Sequence, residues 1–146
     1  MQRLKETKGR LLGVDFGDTR TGLAVSDEVR FLANGIGYIS VGGMRKTAEK
    51  IAEIVTEQKT VGIVLGLPVN MNGSEGPRAE KTRAFAAMLE ELTALPVVLM
   101  DERMTTMAAA RFLNETNTRG GKRKQVIDTL SAEIILQNTL DRLKNM

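Results

Sequence analysis

Residues Leu11 to Gly22 read LLGVDFGDTRTG. An apolar run, Leu11–Phe16, is interrupted by one carboxylate, Asp15, then turns through Gly17, Asp18, Thr19 and Arg20 into a second apolar run, Gly22–Val25. Strand, acid and glycine-containing turn in that order suit a phosphate or metal site at a strand end. The same pattern also suits an ordinary hairpin. The rest of the chain decides between them.

Downstream, Gly35–Val41 (GIGYISV) reads as a third, weaker strand, and the short connections make the first three an antiparallel meander. After Gly42 and Gly43 the period changes. Ala48, Ile51, Ala52 and Val55 share one face of a helix predicted over about Met44–Lys59, with Lys46, Glu49, Lys50, Glu53 and Glu57 outward. Val61–Leu67 (VGIVLGL) is apolar on both faces, as a central parallel strand should be. PVNMNGSEGPR has the turn chemistry of a mobile loop. Phe85, Met88, Leu89 and Leu92 then mark a second amphipathic helix, and Pro96–Met100 (PVVLM) a short buried strand running into Asp101, Glu102 and Arg103. Thr105 or Thr106 can cap a short helix through Leu113. A basic loop, RGGKRK at Arg119–Lys124, precedes a last helix over about Lys124–Leu143. The expected fold is one α/β domain over residues 1–146: a mixed five-stranded sheet, three antiparallel strands then two parallel, flanked by helices, with 1–9 flexible.

A chain of 146 residues can bury about two thirds of its unfolded surface in a single core. It has no cysteine, which fits a reducing compartment and removes thiolate metal sites. It has no histidine either, which removes the commonest general base and most zinc sites. Chemistry must rest on carboxylates, lysine, arginine, hydroxyls and backbone. No apolar run approaches the roughly 20 residues that span a bilayer, and the basic head leads into no signal-like core. A soluble, cytoplasmic protein is the expectation. The net charge of +3 is too mild to imply a polyanion partner, but Lys122, Arg123 and Lys124 are locally dense. A solvated loop is the plainer reading of that cluster.

Sites in α/β sheets gather at the carboxyl ends of parallel strands. Asp15 ends the first strand, with Gly13 leaving space on its face. Asp101 and Glu102 end the last strand and point to opposite sides. Asp128 lies in the first turns of the terminal helix, sharing a face with the small Ser131 and Ala132. If Asp15, one of the Asp101 and Glu102 pair, and Asp128 converge, their mutual repulsion opposes folding unless a cation occupies the cluster. Oxygen-only ligands favour magnesium or manganese. Phosphodiester hydrolysis is the chemistry this inventory suits. Taken singly, Asp15 also suits a turn former, Asp101 and Glu102 surface acids or a helix entry, and Asp128 a first-turn dipole acid.

The stretches GVDFGDTRTGLAVSD, VLGLPVNMNGSEGPR, VVLMDERMTTMAAA and KRKQVIDTLSAEIILQ, in that order, cover most of the chain. On them it resembles the YqgF/RuvX family of RNase H-like proteins, also described as Holliday junction resolvases and pre-16S rRNA nucleases. That resemblance implies an RNase H-like fold and an acidic triad of Asp15, Glu102 and Asp128. It is the family's DER motif that selects Glu102 over Asp101. It also implies a role at the 5′ end of pre-16S rRNA, possible contact with ribosomal precursor particles, or action on branched DNA. Where family turns read glycine, threonine, lysine, this chain has Gly17, Asp18, Thr19, then Arg20. Arg20, Arg78, Arg103, Lys122, Arg123 and Lys124 are candidate phosphate contacts.

Two rivals stand beside a nuclease. One is a nucleic-acid or ribosome-binding module of the same fold that cleaves nothing. The other, an actin-like phosphotransferase suggested by DFGDTRTG, needs two domains and is disfavoured by the absence of a GxxxxGK[ST] loop. With one tyrosine and no tryptophan, backbone and shape recognition of structured RNA or branched DNA is expected over base stacking. A monomer and a homodimer are equally compatible with the sequence.

Overall fold

The computed structural model describes residues 1–103 and 120–146, with side chains in the second segment from Thr129 onward. Five strands, β1 (Arg10–Asp15), β2 (Thr21–Ser26), β3 (Ala33–Ile39), β4 (Thr60–Leu67) and β5 (Val97–Asp101), form one sheet in the order β3-β2-β1-β4-β5. β1, β2 and β3 pair antiparallel, whereas β4 and β5 join β1 in parallel. This is the mixed sheet the sequence pattern predicts. Its central strands carry apolar residues on both faces because helices cover both.

On one face lie α2 (Met44–Gln58) and α3 (Pro77–Thr93). Ala48, Ile51 and Val55 recur at helical spacing on α2, and Phe85 and Leu89 on α3, all packed against Leu12, Val14 and Leu65. Proline at N1 opens α3, where its missing N–H has no helical partner to lose. Phe16, just past β1, stacks on Phe85 with ring centroids 4.0 Å apart, so the chain leaving β1 is held at this face.

The opposite face is covered by one long helix, α4 (Gly120–Lys144). Ala132, Ile135, Leu136 and Leu140 pack on Leu11, Ala24 and Val64. The helix comes close enough that a Cβ on Gly13 would sit 2.7 Å from Leu136 Cβ and 2.9 Å from the Ala132 carbonyl oxygen. Only glycine fits there. At the sheet edge the Ala33 N–H donates to Gln137 Oε1 (2.9 Å) and the Gly35 N–H to Glu133 Oε1 (2.6 Å). Descending residue numbers on α4 therefore follow ascending numbers on β3. The helix start is directed to the end of the sheet where β1 terminates, and Asp128 lies one turn before Ala132 on that path.

The structure bears on two further sequence expectations, and a third lies outside the described residues. First, residues 1–9, expected to be flexible, include α1 (Gln2–Lys5), which buries Leu4 fully against Leu11 and Gly62. Arg30 secures that segment by donating to the carbonyls of Gly9 (2.7 Å) and Leu4 (2.6 Å) and to Thr7 Oγ1 (2.7 Å). Second, α4 begins at Gly120 and not near Lys124, so Lys122, Arg123 and Lys124 belong to its first turns and not to a loop. Third, the helix expected over about 105–113 lies outside the described residues. Among the described residues no helix is long and apolar enough to cross a membrane.

Candidate functional site: an acid pair at the carboxyl end of the sheet

Asp15 is the last residue of β1. Strand alternation puts Leu12, Val14 and Phe16 towards α2 and α3, and Leu11, Gly13 and Asp15 towards α4. Glu102 follows β5 immediately, its N–H donating to the Leu67 carbonyl at 3.0 Å. The same alternation puts Met100 and Glu102 on the α4 face, and leaves Asp101 on the other. The two acids thus sit two strands apart, with β4 between them.

Gly66 on β4 closes that gap. A Cβ there would collide with Glu102 Oε1, and would lie 2.6 Å from Ile135 Cδ1. Its bare backbone gives the Glu102 side chain a path back across β4 to Asp15, and the two carboxyl groups hydrogen-bond. Burial, then this hydrogen bond, then the charge of Glu102 push the Asp15 carboxyl up to about 9, opposed by the Arg78 guanidinium from the first turn of α3. Two carboxylates at this range do not both ionise unless a cation offsets them. Among the described residues no group of three acids forms a metal cage. The Asp128 side chain lies outside the described residues, and its backbone is on the part of α4 directed to this end of the sheet.

Asp101 has a different partner. Arg103 donates Nε to Asp101 Oδ2 (2.9 Å) and Nη2 to the same oxygen (2.7 Å), and its backbone N–H reaches Oδ1 at 2.9 Å. That guanidinium holds Asp101 below the usual carboxylate range. Arg103 Nη1 also donates to the Met71 carbonyl at 3.3 Å, tying the end of β5 to the loop after β4. The loop is further closed by Asn70 N–H to the Ser74 carbonyl (2.9 Å), and by Arg83 gripping both oxygens of Glu75 (2.7 Å each). Arg103 is therefore already engaged by an acid and a carbonyl.

The turn after β1 needs Gly17, since a Cβ there would collide with the Arg20 carbonyl oxygen. Asp18 pairs with Lys81 at 3.2 Å, both well exposed, which makes the pair worth about 1 kcal/mol or less. The Arg20 guanidinium carbon lies 5.5 Å from the Tyr38 ring centroid, and its Nη1 is buried without a hydrogen-bond partner among the described residues. Side chains of Lys122, Arg123 and Lys124 lie outside the described residues. Sequence reasoning missed Gly66 and Tyr38. The second glycine of VGIVLGL was the available signal for the first.

A sheet ordered β3-β2-β1-β4-β5, antiparallel then parallel, with acids at the ends of β1 and β5 and one helix across that face, defines an RNase H-like fold. Solved structures agree. Thermus thermophilus RuvC in complex with a Holliday junction substrate matches with a TM-score of 0.61, covering 94% of this chain and 97% of that one at 12% identity. The fowlpox virus Holliday junction resolvase matches at 0.56, covering 92% and 99%, also at 12% identity. At such identities the likeness establishes the fold alone.

The chain belongs to the RuvX family, described as Holliday junction resolvase, whose model matches residues 9–142. A relative from Bradyrhizobium diazoefficiens, named as a candidate pre-16S rRNA nuclease, is 48% identical over 95% of this chain and 86% of its own length. Another from Ruminiclostridium cellulolyticum, with the same name, is 41% identical over 92% and 95%.

Proposed function

We propose that this chain is a divalent-metal-dependent nuclease that hydrolyses phosphodiester bonds in 5′-end processing of pre-16S rRNA, in the cytoplasm. The observation carrying this reading is the hydrogen-bonded pair Asp15 and Glu102, reached across Gly66. Relatives named for pre-16S rRNA at up to 48% identity support the substrate.

The donor set fits magnesium or manganese: hard oxygen ligands, a negative pair that repels itself without a cation, and no histidine or cysteine anywhere in the chain. Asp15 and Glu102 would hold the ion, with Asp128 as the third ligand. When bound, such an ion supplies activation of water and charge stabilisation at the phosphoryl group. The chain's own residues do the rest. Gly66 and the Leu67 carbonyl fix the reach of Glu102, and Phe16 stacked on Phe85 fixes the exit of β1. Arg78 and Arg20, with Lys122, Arg123 and Lys124, offset phosphate charge without reading sequence.

A second substrate class, branched DNA, follows from the description of the family. Both are tested together by incubating purified protein with a 5′-extended 16S precursor and with a four-way junction, in magnesium, manganese or EDTA. Metal-dependent cleavage of the precursor, lost in Asp15→Asn, is expected. Cleavage of the junction alone would replace the substrate. No cleavage of either, with binding unaffected by EDTA, would leave a non-catalytic binding module.

A further inference from the structure

Tyr38 is the chain's single tyrosine, and there is no tryptophan. It sits on the edge strand β3, 40% exposed. The register places it. Asp15 pairs with Gly22, and Gly22 pairs with Tyr38, so the acid and the ring lie at one level of the sheet, two strands apart. At about 4.8 Å per strand spacing their backbones are about 10 Å apart. One nucleic-acid strand lying across this end of the sheet can therefore reach both.

The ring reaches the acid's face because of a bulge. Ala24 pairs with Gly35 but Leu23 pairs with Gly37, which leaves Ile36 as an extra residue. Without it Gly37 would stand opposite Gly22, and Tyr38 would fall on the α2 side. One inserted residue turns the tyrosine to the side that carries Asp15, a use of bulges common beside active sites. Gly37 takes φ +113°, a conformation that favours glycine, and a Cβ there would meet nothing within 4 Å. Glycine at this point serves the bulge and not the packing.

Arg20 completes the arrangement. Its guanidinium carbon is 5.5 Å from the ring centroid, within cation–π range, and buried Nη1 has no acceptor among the described residues. A cation beside a partly open ring offers a phosphate and a base their two usual contacts.

We infer that Tyr38 and Arg20 form a nucleotide subsite of the substrate strand, with an unpaired base stacked on the Tyr38 ring and its phosphate on Arg20, a few nucleotides from the bond cut at Asp15. This deepens the nuclease reading above and rests on it for the identity of the ligand as a nucleic-acid strand. It departs from backbone-only recognition: one position of the strand is bound through its base.

The test uses the full chain and a dye-labelled single-stranded RNA dodecamer in EDTA, so that binding is read apart from cleavage. Because no other tyrosine or tryptophan is present, tyrosine emission reports Tyr38 alone, and saturable quenching by the RNA after correction for absorbance is expected. Tyr38→Ala should weaken binding about tenfold with its salt dependence unchanged. Tyr38→Phe should bind within about twofold of wild type. Arg20→Gln should weaken binding and reduce the slope of log K against log salt by about one. Should Tyr38→Ala fail to fold, Tyr38→Leu carries the same expectation. Unquenched emission with wild-type affinity in Tyr38→Ala or Tyr38→Leu overturns the subsite, even if the wild type cleaves RNA. A wild type that shows Tyr38-dependent binding but cuts nothing in magnesium or manganese supports the subsite and overturns the nuclease reading alone.

Discussion

Replacing Asp15 by asparagine should stabilise the metal-free protein while removing its response to metal. Burial and the neighbouring Glu102 push the Asp15 carboxyl up to about 9 from an ordinary 3.8. An acid whose folded pKa exceeds its unfolded value holds an extra proton in the folded state between those two values. Stability of the metal-free wild type therefore falls as pH rises from about 4 to about 9, and levels off above. At pH 7 the group sits about three pH units above its unfolded pKa. At about 1.36 kcal/mol per unit, keeping it protonated costs about 4 kcal/mol. Asparagine supplies the neutral, hydrogen-bond-donating form at every pH. It still leaves an amide partly buried, so a recovery of about 2–4 kcal/mol is expected, or roughly 6–12 °C in Tm at about 3 °C per kcal/mol. Thermal melts in EDTA between pH 5 and 9 measure this. Magnesium or manganese should raise the wild-type Tm and leave Asp15→Asn nearly unmoved. A variant that melts at or below wild type in EDTA at pH 7, or a wild-type Tm flat across that pH range, refutes the reasoning.

Four further substitutions separate the parts of the site. Glu102→Gln should abolish the metal-induced rise in Tm, whereas Asp101→Asn should keep it, because Asp101 is committed to Arg103; matched melts with and without manganese distinguish them. Gly66→Ala forces Glu102 and Ile135 aside and is expected to cost about 1–3 kcal/mol in chemical denaturation, with cleavage falling further than folded fraction. Arg103→Ala should leave the denaturation midpoint nearly unchanged, because its ion pair is exposed, yet speed amide exchange in Asn70–Ser74, the loop it tethers. Away from the site, Leu4→Ala should cost about 2–5 kcal/mol, since Leu4 is fully buried, and denaturant midpoints would show it.

What the sequence disclosed follows from how local each signal is. Strands β1 and β4 were legible because parallel strands covered on both faces leave continuous apolar runs. The opposite orientations of Asp101 and Glu102 were legible because strand side chains alternate with a period of two. The contact between Asp15 and Glu102 was not, because it needs the joint register of β1, β4 and β5 and the missing side chain at Gly66. Nothing local in the head marks α1, since a four-residue helix has no stability of its own and forms where Leu4 finds a slot. Two glycines lower helix propensity by about 1 kcal/mol each, so RGGKRK reads as loop although α4 extends through it from Gly120. Tyr38 was hidden by the bulge, since one extra residue reverses which face every later side chain occupies.

Anomalous scattering from a crystal grown in manganese tests the central claim most directly. The account expects an ion peak with oxygens of both Asp15 and Glu102 at about 2.0–2.4 Å, absent in Asp15→Asn crystals grown the same way. Wild-type crystals at saturating manganese whose Asp15 and Glu102 still share a hydrogen bond, with no ion touching either, would contradict it.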